Sequence, residues 1–205
     1  MSPQPTDPRV SLSTNLRKYQ TGNPLMLWFI RRFLAQIRDA ALAVRPTTIV
    51  DIGCGEGIVG GMLCDAIAGI EYVGLDVSPT VVETARTLYP HLDFRVGSVF
   101  DPALEPPTAD LAVCLEVIEH VEEPERAVAN VMARTRAHAL VSVPWEPWFR
   151  LGNLVRGRHV RRWGNHPEHV QRFDPDGFRA LLAPHAAEVR VWTCFPWIIG
   201  LARRA

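Results

Sequence analysis

Lysine is nearly missing from this chain: Lys18 is the single lysine among 22 basic residues, and 22 acidic residues balance them. A formal net charge of zero removes any whole-molecule field that would gather nucleic acid or an anionic membrane, and leaves only local patches to do so. The lysine deficit reads as genomic composition bias. Cysteine is scarce as well. Cys54, Cys64, Cys114 and Cys194 form no C-x-x-C pair and have no zinc-site spacing. Cys64, Cys114 and Cys194 sit beside apolar neighbours, where small buried thiols are common. A disulfide framework is therefore not expected, and a reducing, cytoplasmic setting is. Long uncharged apolar runs are absent. The most apolar early stretch, Leu25 to Val44, contains Arg31, Arg32, Arg38 and Asp39, so a membrane span is not expected. Residues 1–9 are polar and Pro-rich and lack a secretory-leader pattern. No internal repeat or low-complexity tract occurs.

What is present is an ordinary globular composition, 47% hydrophobic and 21% charged over 205 residues, enough for one domain with one core. Residues 1–15 read as a loose arm. Apolar residues at Leu27, Ile30, Phe33, Leu34, Ile37 and Ala41 recur at helical spacing from Pro24, and Arg45-Pro46 ends the helix. Thr47 to Ile52 reads as a buried strand, followed by a glycine-rich turn and a helix from Ile58 to about Ala68. A strand at Tyr72 to Leu75 ends at Asp76. Ser78-Pro79 pairs an N-cap with proline at the first helical position, opening a helix to Leu88. Strands follow at Leu92 to Val96 and Asp110 to Leu115, then a helix from Pro124 to Val131, then a strand from His138 to Val143 stopped by Pro144. Asp174-Pro175 opens a helix to Leu182, and Ala187 to Thr193 and Phe195 to Leu201 read as the last strands. Strands alternating with helices predict an α/β fold: a doubly wound, mostly parallel sheet with helices on both faces. The organisation expected is one domain over 1–205, with an amino-terminal arm and helix over 1–46 and a lid insertion over 145–173.

The strongest chemical signal is Val50-Asp51-Ile52-Gly53-Cys54-Gly55-Glu56-Gly57, placed between a strand and a helix. Glycines there permit a tight turn and a close backbone approach to a ligand. The pattern is G-x-G-x-G; Ile58 stands where the dinucleotide fingerprint needs its last glycine. Asp76, at the end of the next strand, can accept two hydrogen bonds from ribose hydroxyls, and its charge strengthens them.

These residues resemble the class I S-adenosylmethionine-dependent methyltransferases. Val50 to Gly57 is similar to that family's first motif, and Gly74-Leu75-Asp76-Val77-Ser78 to its second; the resemblance runs from about residue 47 to the carboxyl end. It implies a seven-stranded sheet of order 3-2-1-4-5-7-6 and S-adenosyl-L-methionine as cofactor. It places Asp51, Gly53, Cys54, Gly55 and Gly57 at the methionine moiety, and Asp76 with Val77 at the ribose. Gly97-Ser98-Val99-Phe100 is similar to the adenine-contacting segment, with Ser98 standing where aspartate is frequent and Val99 offering apolar and backbone contact. The alternative for the glycines alone is a simple strand-to-helix turn.

The run Glu116-Val117-Ile118-Glu119-His120 packs two carboxylates and an imidazole into five positions. On a helical turn 116, 119 and 120 would share a face, at the carboxyl end of a strand where open α/β sheets bind ligands. In one reading Glu116 lies near the cofactor's sulfur, and Glu119 and His120 position the next helix. In the other, Glu116, Glu119, His120 and His169 hold Mg²⁺ or another divalent metal, as in the ubiquinone-pathway O-methyltransferases and the small-RNA terminal 2′-O-methyltransferases that the pattern resembles. His120 and His169 are the candidate bases. A histidine bonded to local backbone is the plainer reading of His169.

Trp145, Trp148 and Trp163 are candidates for an aromatic wall, or for packing of the lid onto the body. Arg150, Arg156, Arg158, Arg161 and Arg162 form a local basic cluster suited to an acidic group, or a solvated face. Tyr19 is a candidate cover for the cofactor, and Gly22-Asn23-Pro24 reads equally as a surface turn. Methyl transfer is an in-line displacement that needs alignment more than a nucleophile, and neither a G-x-S-x-G motif nor a Cys/His pair occurs. The expectation is O-methylation of a small-molecule hydroxyl, with nucleic acid not expected as partner and the oligomeric state open. The alternatives are an RNA 2′-O-methyltransferase, a non-catalytic S-adenosylmethionine-binding protein, and a nicotinamide-dependent reductase; the last is disfavoured by Ile58 and the lack of a Tyr-x-x-x-Lys pair.

Overall fold

The computed structural model describes residues 22–101, 109–145, 171 and 173–205. The chain runs α1 (Pro24–Val44), β1 (Thr48–Ile52), α2 (Ile58–Ala66), β2 (Glu71–Asp76), α3 (Pro79–Leu88), β3 (Asp93–Val96), β4 (Ala109–Leu115), a 3₁₀ turn (Ile118–His120), α4 (Pro124–Ala133), β5 (Thr135–Pro144), α5 (Pro175–Leu182), β6 (Glu188–Cys194) and β7 (Trp197–Arg203). The strands form one seven-stranded sheet of order β3-β2-β1-β4-β5-β7-β6. The first five pair in parallel, while β7 runs antiparallel between β5 and β6. This is the order the resemblance implies.

Three helices begin alike. Asn23, Ser78 and Asp174 each accept a backbone N–H of the first turn, at 3.0, 3.4 and 2.7 Å, and each precedes a proline that has no N–H to lose. Asn23 is thus a cap and not merely part of a surface turn. Successive strand residues face opposite sides of the sheet. Ile49, Leu111, Val113 and Ile199 pack on the side of α1, α2 and α3, whereas Val50, Ala112, Cys114 and Ile198 pack on the side of α4 and α5. Both faces are covered, so the strands are apolar runs and not alternating ones. Ile198 and Ile199 of β7 are fully buried, one on each face of the sheet. Each is worth ~2–5 kcal/mol if cut to alanine.

The structure corrects several boundaries, among them the start of β5, which is Thr135 and not His138. Pro144 does not stop β5 but is its last residue, paired with Trp197, because proline is tolerated at a strand end where no further ladder donor is needed. Phe195 does not open the last strand: Phe195-Pro196, with a cis peptide bond, forms the turn between β6 and β7. Cys64, expected to be buried, is only half-buried; Cys54, Cys114 and Cys194 are buried. Among the described residues, no helix is long and apolar enough to cross a membrane.

Candidate functional site

The carboxyl ends of β1, β2, β3 and β4 meet where the strand order reverses, the position at which open α/β sheets leave a crevice. The glycine turn after β1 is tied into it by its own backbone. Gly53 and Cys54 N–H both donate to the Leu75 carbonyl, at 2.7 and 2.9 Å, and Gly55 N–H donates to Asp76 Oδ2 at 3.1 Å. Ser78 N–H donates to Asp76 Oδ1 at 2.9 Å, and Gly97 N–H donates to the Asp76 carbonyl at 2.9 Å. The carboxylate of Asp76 therefore stands on two backbone donors, past the ends of β1 and β2, while its main-chain carbonyl holds the end of β3.

Each glycine of the turn has its own reason. Gly53 has φ +76°, and a Cβ there would lie 2.2 Å from Val117 Cγ2. Gly57, at φ +80°, caps α2 and would meet the Phe94 ring at 2.5 Å. Gly55, at φ +55°, would meet nothing within 4 Å among the described residues. Its side-chain position opens onto free space, as a ligand cradle requires.

Asp51 lies below the turn. It is buried, and its Oδ2 accepts from the Tyr72 hydroxyl at 2.9 Å. Burial pushes its carboxyl up to about 7, the Tyr72 bond pulls it down, and the charge of Asp76 adds to the rise. Burial also pushes the Cys54 and Cys114 thiols far up, so neither is a ready nucleophile.

Two exposed valines flank Asp76. Val77 follows it in the chain, and Val96 is its register partner on β3; they are 66% and 46% exposed. Val77 is among the sequence candidates and Val96 is not. Large apolar side chains left in water beside a ligand-competent carboxylate are the signal that would have found it. Ser98 Oγ accepts from Phe100 N–H at 3.1 Å, so the hydroxyl first serves its own turn. Val99 is buried, and its carbonyl accepts from Asn130 Nδ2 of α4 at 3.0 Å.

The E-x-x-E-H run departs from expectation. Glu116, Glu119 and His120 do not share a helical face. Glu116 has φ +59°, which breaks the helical path before the 3₁₀ turn begins at Ile118. Its carboxylate turns toward β5 and β7: Trp197 Nε1–H donates to Oε2 at 2.8 Å and Ser142 Oγ–H to Oε1 at 3.3 Å. Glu119 is buried, whereas His120 is exposed, with its Nε2 3.8 Å from Glu119 Oε1. Gln171 N–H donates to the Glu119 carbonyl at 3.2 Å. Among the described residues, no group of three or more His, Cys, Asp or Glu converges as a metal site. His169, Trp148, Trp163, Tyr19 and the arginines from 150 to 162 lie outside the described residues. Trp145 is half-buried, bridges Phe173, and has its ring 6.4 Å from that of Phe195.

Residues 50–141 match the family model of a methyltransferase domain. The chain is 34% identical over 154 residues to a ubiquinone biosynthesis O-methyltransferase of Mesorhizobium japonicum, a match that takes in 69% of this chain and 60% of that protein. It is 37% identical over 126 residues to the mitochondrial enzyme of the same name from Schizosaccharomyces pombe, covering 56% of this chain and 44% of that one. The chain thus spans about half the length of these relatives. Among solved structures it is similar to magnesium protoporphyrin IX methyltransferase from Synechocystis with bound S-adenosylhomocysteine, at TM-score 0.68 and 17% identity over 92% of each chain. That likeness concerns the fold.

Proposed function

We propose that this chain, a class I S-adenosylmethionine-dependent methyltransferase by its domain match and its fold, methylates a hydroxyl oxygen of a small-molecule acceptor. The observation that carries the reading is the cradle. A glycine turn is bonded through Gly55 to Asp76, the space over Gly55 is free of the described residues, and Val77 and Val96 stand exposed on either side. The names of the two relatives, both O-methyltransferases, support oxygen as the acceptor atom.

The residues fit the cofactor in kind. Asp76 keeps acceptor capacity beyond its two backbone donors, as two ribose hydroxyls require. Val77 and Val96 offer apolar flanks to a flat heterocycle, and Ser98 and Val99 stand at the end of the same strand. Gly53, Cys54, Gly55 and Gly57, with Asp51 beneath them, are assigned to the methionine end. S-adenosylmethionine, when bound, would supply a methyl carbon on a sulfonium, open to in-line attack by an oxygen lone pair with the thioether as leaving group.

The chain's own work is to align donor and acceptor and to keep water from competing. His120, exposed beside the buried Glu119, is the described candidate to take the acceptor's proton. His169 remains a second candidate from its place in the sequence. The metal-assisted form of the reading needs Glu116, Glu119 and His120 to converge, and the described residues hold no such group. No step is therefore drawn through a metal.

Calorimetry with S-adenosylhomocysteine and with NAD, followed by turnover on a panel of phenols and a short RNA, tests the reading. Binding of the first, none of the second, and methylation of a phenol are expected. An empty crevice, NAD binding, or methylation of the RNA alone would overturn it. Activity in excess EDTA decides the metal: loss restored by Mg²⁺ or Mn²⁺ supports one, and full turnover removes it.

A further inference from the structure

The turn after β4 carries an unusual residue for its backbone. A glutamate at φ +59° is disfavoured, and such a conformer persists only where the surroundings hold it. Here the holding groups are visible. Glu116 N–H donates to the Ser142 carbonyl at 3.1 Å, which ties the turn to β5. Its side chain accepts from Ser142 Oγ and from Trp197 Nε1, which ties it to β5 again and to the first residue of β7. Trp197 is in turn held from the other side. Its ring lies 4.6 Å from that of Phe33, a buried residue of α1. A second indole, that of Trp192, donates to Gln36 Oε1 one turn further along the same helix, at 2.6 Å.

The consequence of the turn is equally local. The next residue, Val117, packs on Gly53 so closely that no Cβ would fit between them. The direction taken at Glu116 therefore decides how one wall of the glycine turn is closed. We infer that Trp197 is a positioning residue that acts through Glu116: its indole N–H latches the left-handed turn after β4, seats Val117 against Gly53, and makes α1 and β7 part of the machinery that sets the methionine end of the cradle. The inference rests on the methyltransferase reading for its kinetic consequence, but not for the latch itself.

The two are separable by experiment. Trp197→Phe keeps a ring against Phe33 and deletes the N–H. It is expected to lower kcat about tenfold while S-adenosylhomocysteine affinity changes by less than about threefold. Glu116→Gln retains an oxygen that accepts from Trp197 and is expected to hold most of the activity. Glu116→Gly adopts the left-handed turn without help, so adding Trp197→Phe to it is expected to cost nothing further. A Trp197→Phe loss of the same size in both the wild-type and the Glu116→Gly backgrounds would overturn the latch, as would wild-type kinetics in Trp197→Phe.

A readout without turnover keeps the test alive if no acceptor is methylated. The Trp197 indole ¹H–¹⁵N resonance, assigned by its loss in Trp197→Phe, should keep its position and slow exchange in Glu116→Gln and lose both in Glu116→Gly. Fast exchange in the wild-type protein would sink the latch. Slow exchange with no methylated acceptor would sink only the functional reading.

Discussion

The two halves of the crevice are built on different principles. On the β1-β2-β3 side, the groups that matter are neighbours in the chain or one strand apart, and they are joined by backbone bonds: Gly53 and Cys54 to Leu75, Gly55 to Asp76, Gly97 to Asp76. On the β4-β5-β7 side, Glu116, Ser142, Trp197 and Phe33 come from segments far apart in the chain and are joined by one main-chain bond, two side-chain bonds and one ring contact. The first half is rigid because backbone donors have nowhere else to go. The second adds to its one main-chain link three contacts that each depend on a side chain another residue must hold.

Gly53→Ala should have the largest effect on the first half. Its Cβ would press into Val117 at a backbone angle alanine rarely adopts, and S-adenosylhomocysteine binding measured by calorimetry should fall by about 100-fold or more. Gly55→Ala sharpens the point. It meets no atom of the described residues, so its stability should drop only by what a left-handed alanine costs, about 1–2 kcal/mol, yet the ligand should bind markedly less well. Equal stability losses in the two variants would deny that free space over Gly55 is a cradle. Next comes Asp76→Ala, which removes the acceptor of two backbone donors and, in the proposed reading, of the ribose. A loss of about 30- to 100-fold in S-adenosylhomocysteine affinity is expected, against no change if the carboxylate only shapes the loop.

A smaller effect concerns pH. The folded-state pKa of Asp51 is raised to about 7, above the roughly 3.9 of an unfolded aspartate. Between those values the folded protein holds a proton that the unfolded chain has released, so this group's contribution falls as pH rises from about 4 through 7. Asp51→Asn keeps an oxygen for Tyr72 and removes the titration. The melting temperature of the variant relative to wild type should therefore rise between pH 5 and pH 8, by on the order of 5 °C; a flat difference would contradict the burial of a protonated acid. At the far, amino-terminal edge of the sheet Asp110 behaves oppositely. Hydrogen bonds from Thr47 and the nearby Arg136 guanidinium hold its carboxyl well below the usual range. The smallest effect is expected from Asn130→Ala, which frees the Val99 carbonyl. It should raise the KM for S-adenosylmethionine by about two- to fivefold at unchanged kcat.

Legibility followed the same division. The glycine turn, Asp76 and the Ser78 and Asp174 caps were readable because each is a short run whose meaning depends on adjacent residues. The strand order was reached through the resemblance of those motifs and not through periodicity. Val96 was not readable, since an exposed valine at a strand end looks like any other until Asp76 is placed opposite it. The shared helical face of Glu116, Glu119 and His120 was a wrong reading. It assumed that helical geometry starts at Glu116, and a positive φ there cannot be seen in five letters.

Residue order alone therefore determined the alternation of strand and helix, the caps with their prolines, and the contiguous glycine turn after β1, because each is decided by short-range sterics and by hydrogen bonds along the chain. Tertiary structure alone decided where Glu116 points. Its partner Trp197 lies 81 positions away, and the two meet only because β7 enters the sheet antiparallel between β5 and β6. Pairing at that range is set by which apolar faces can be buried together, not by the residues beside each partner.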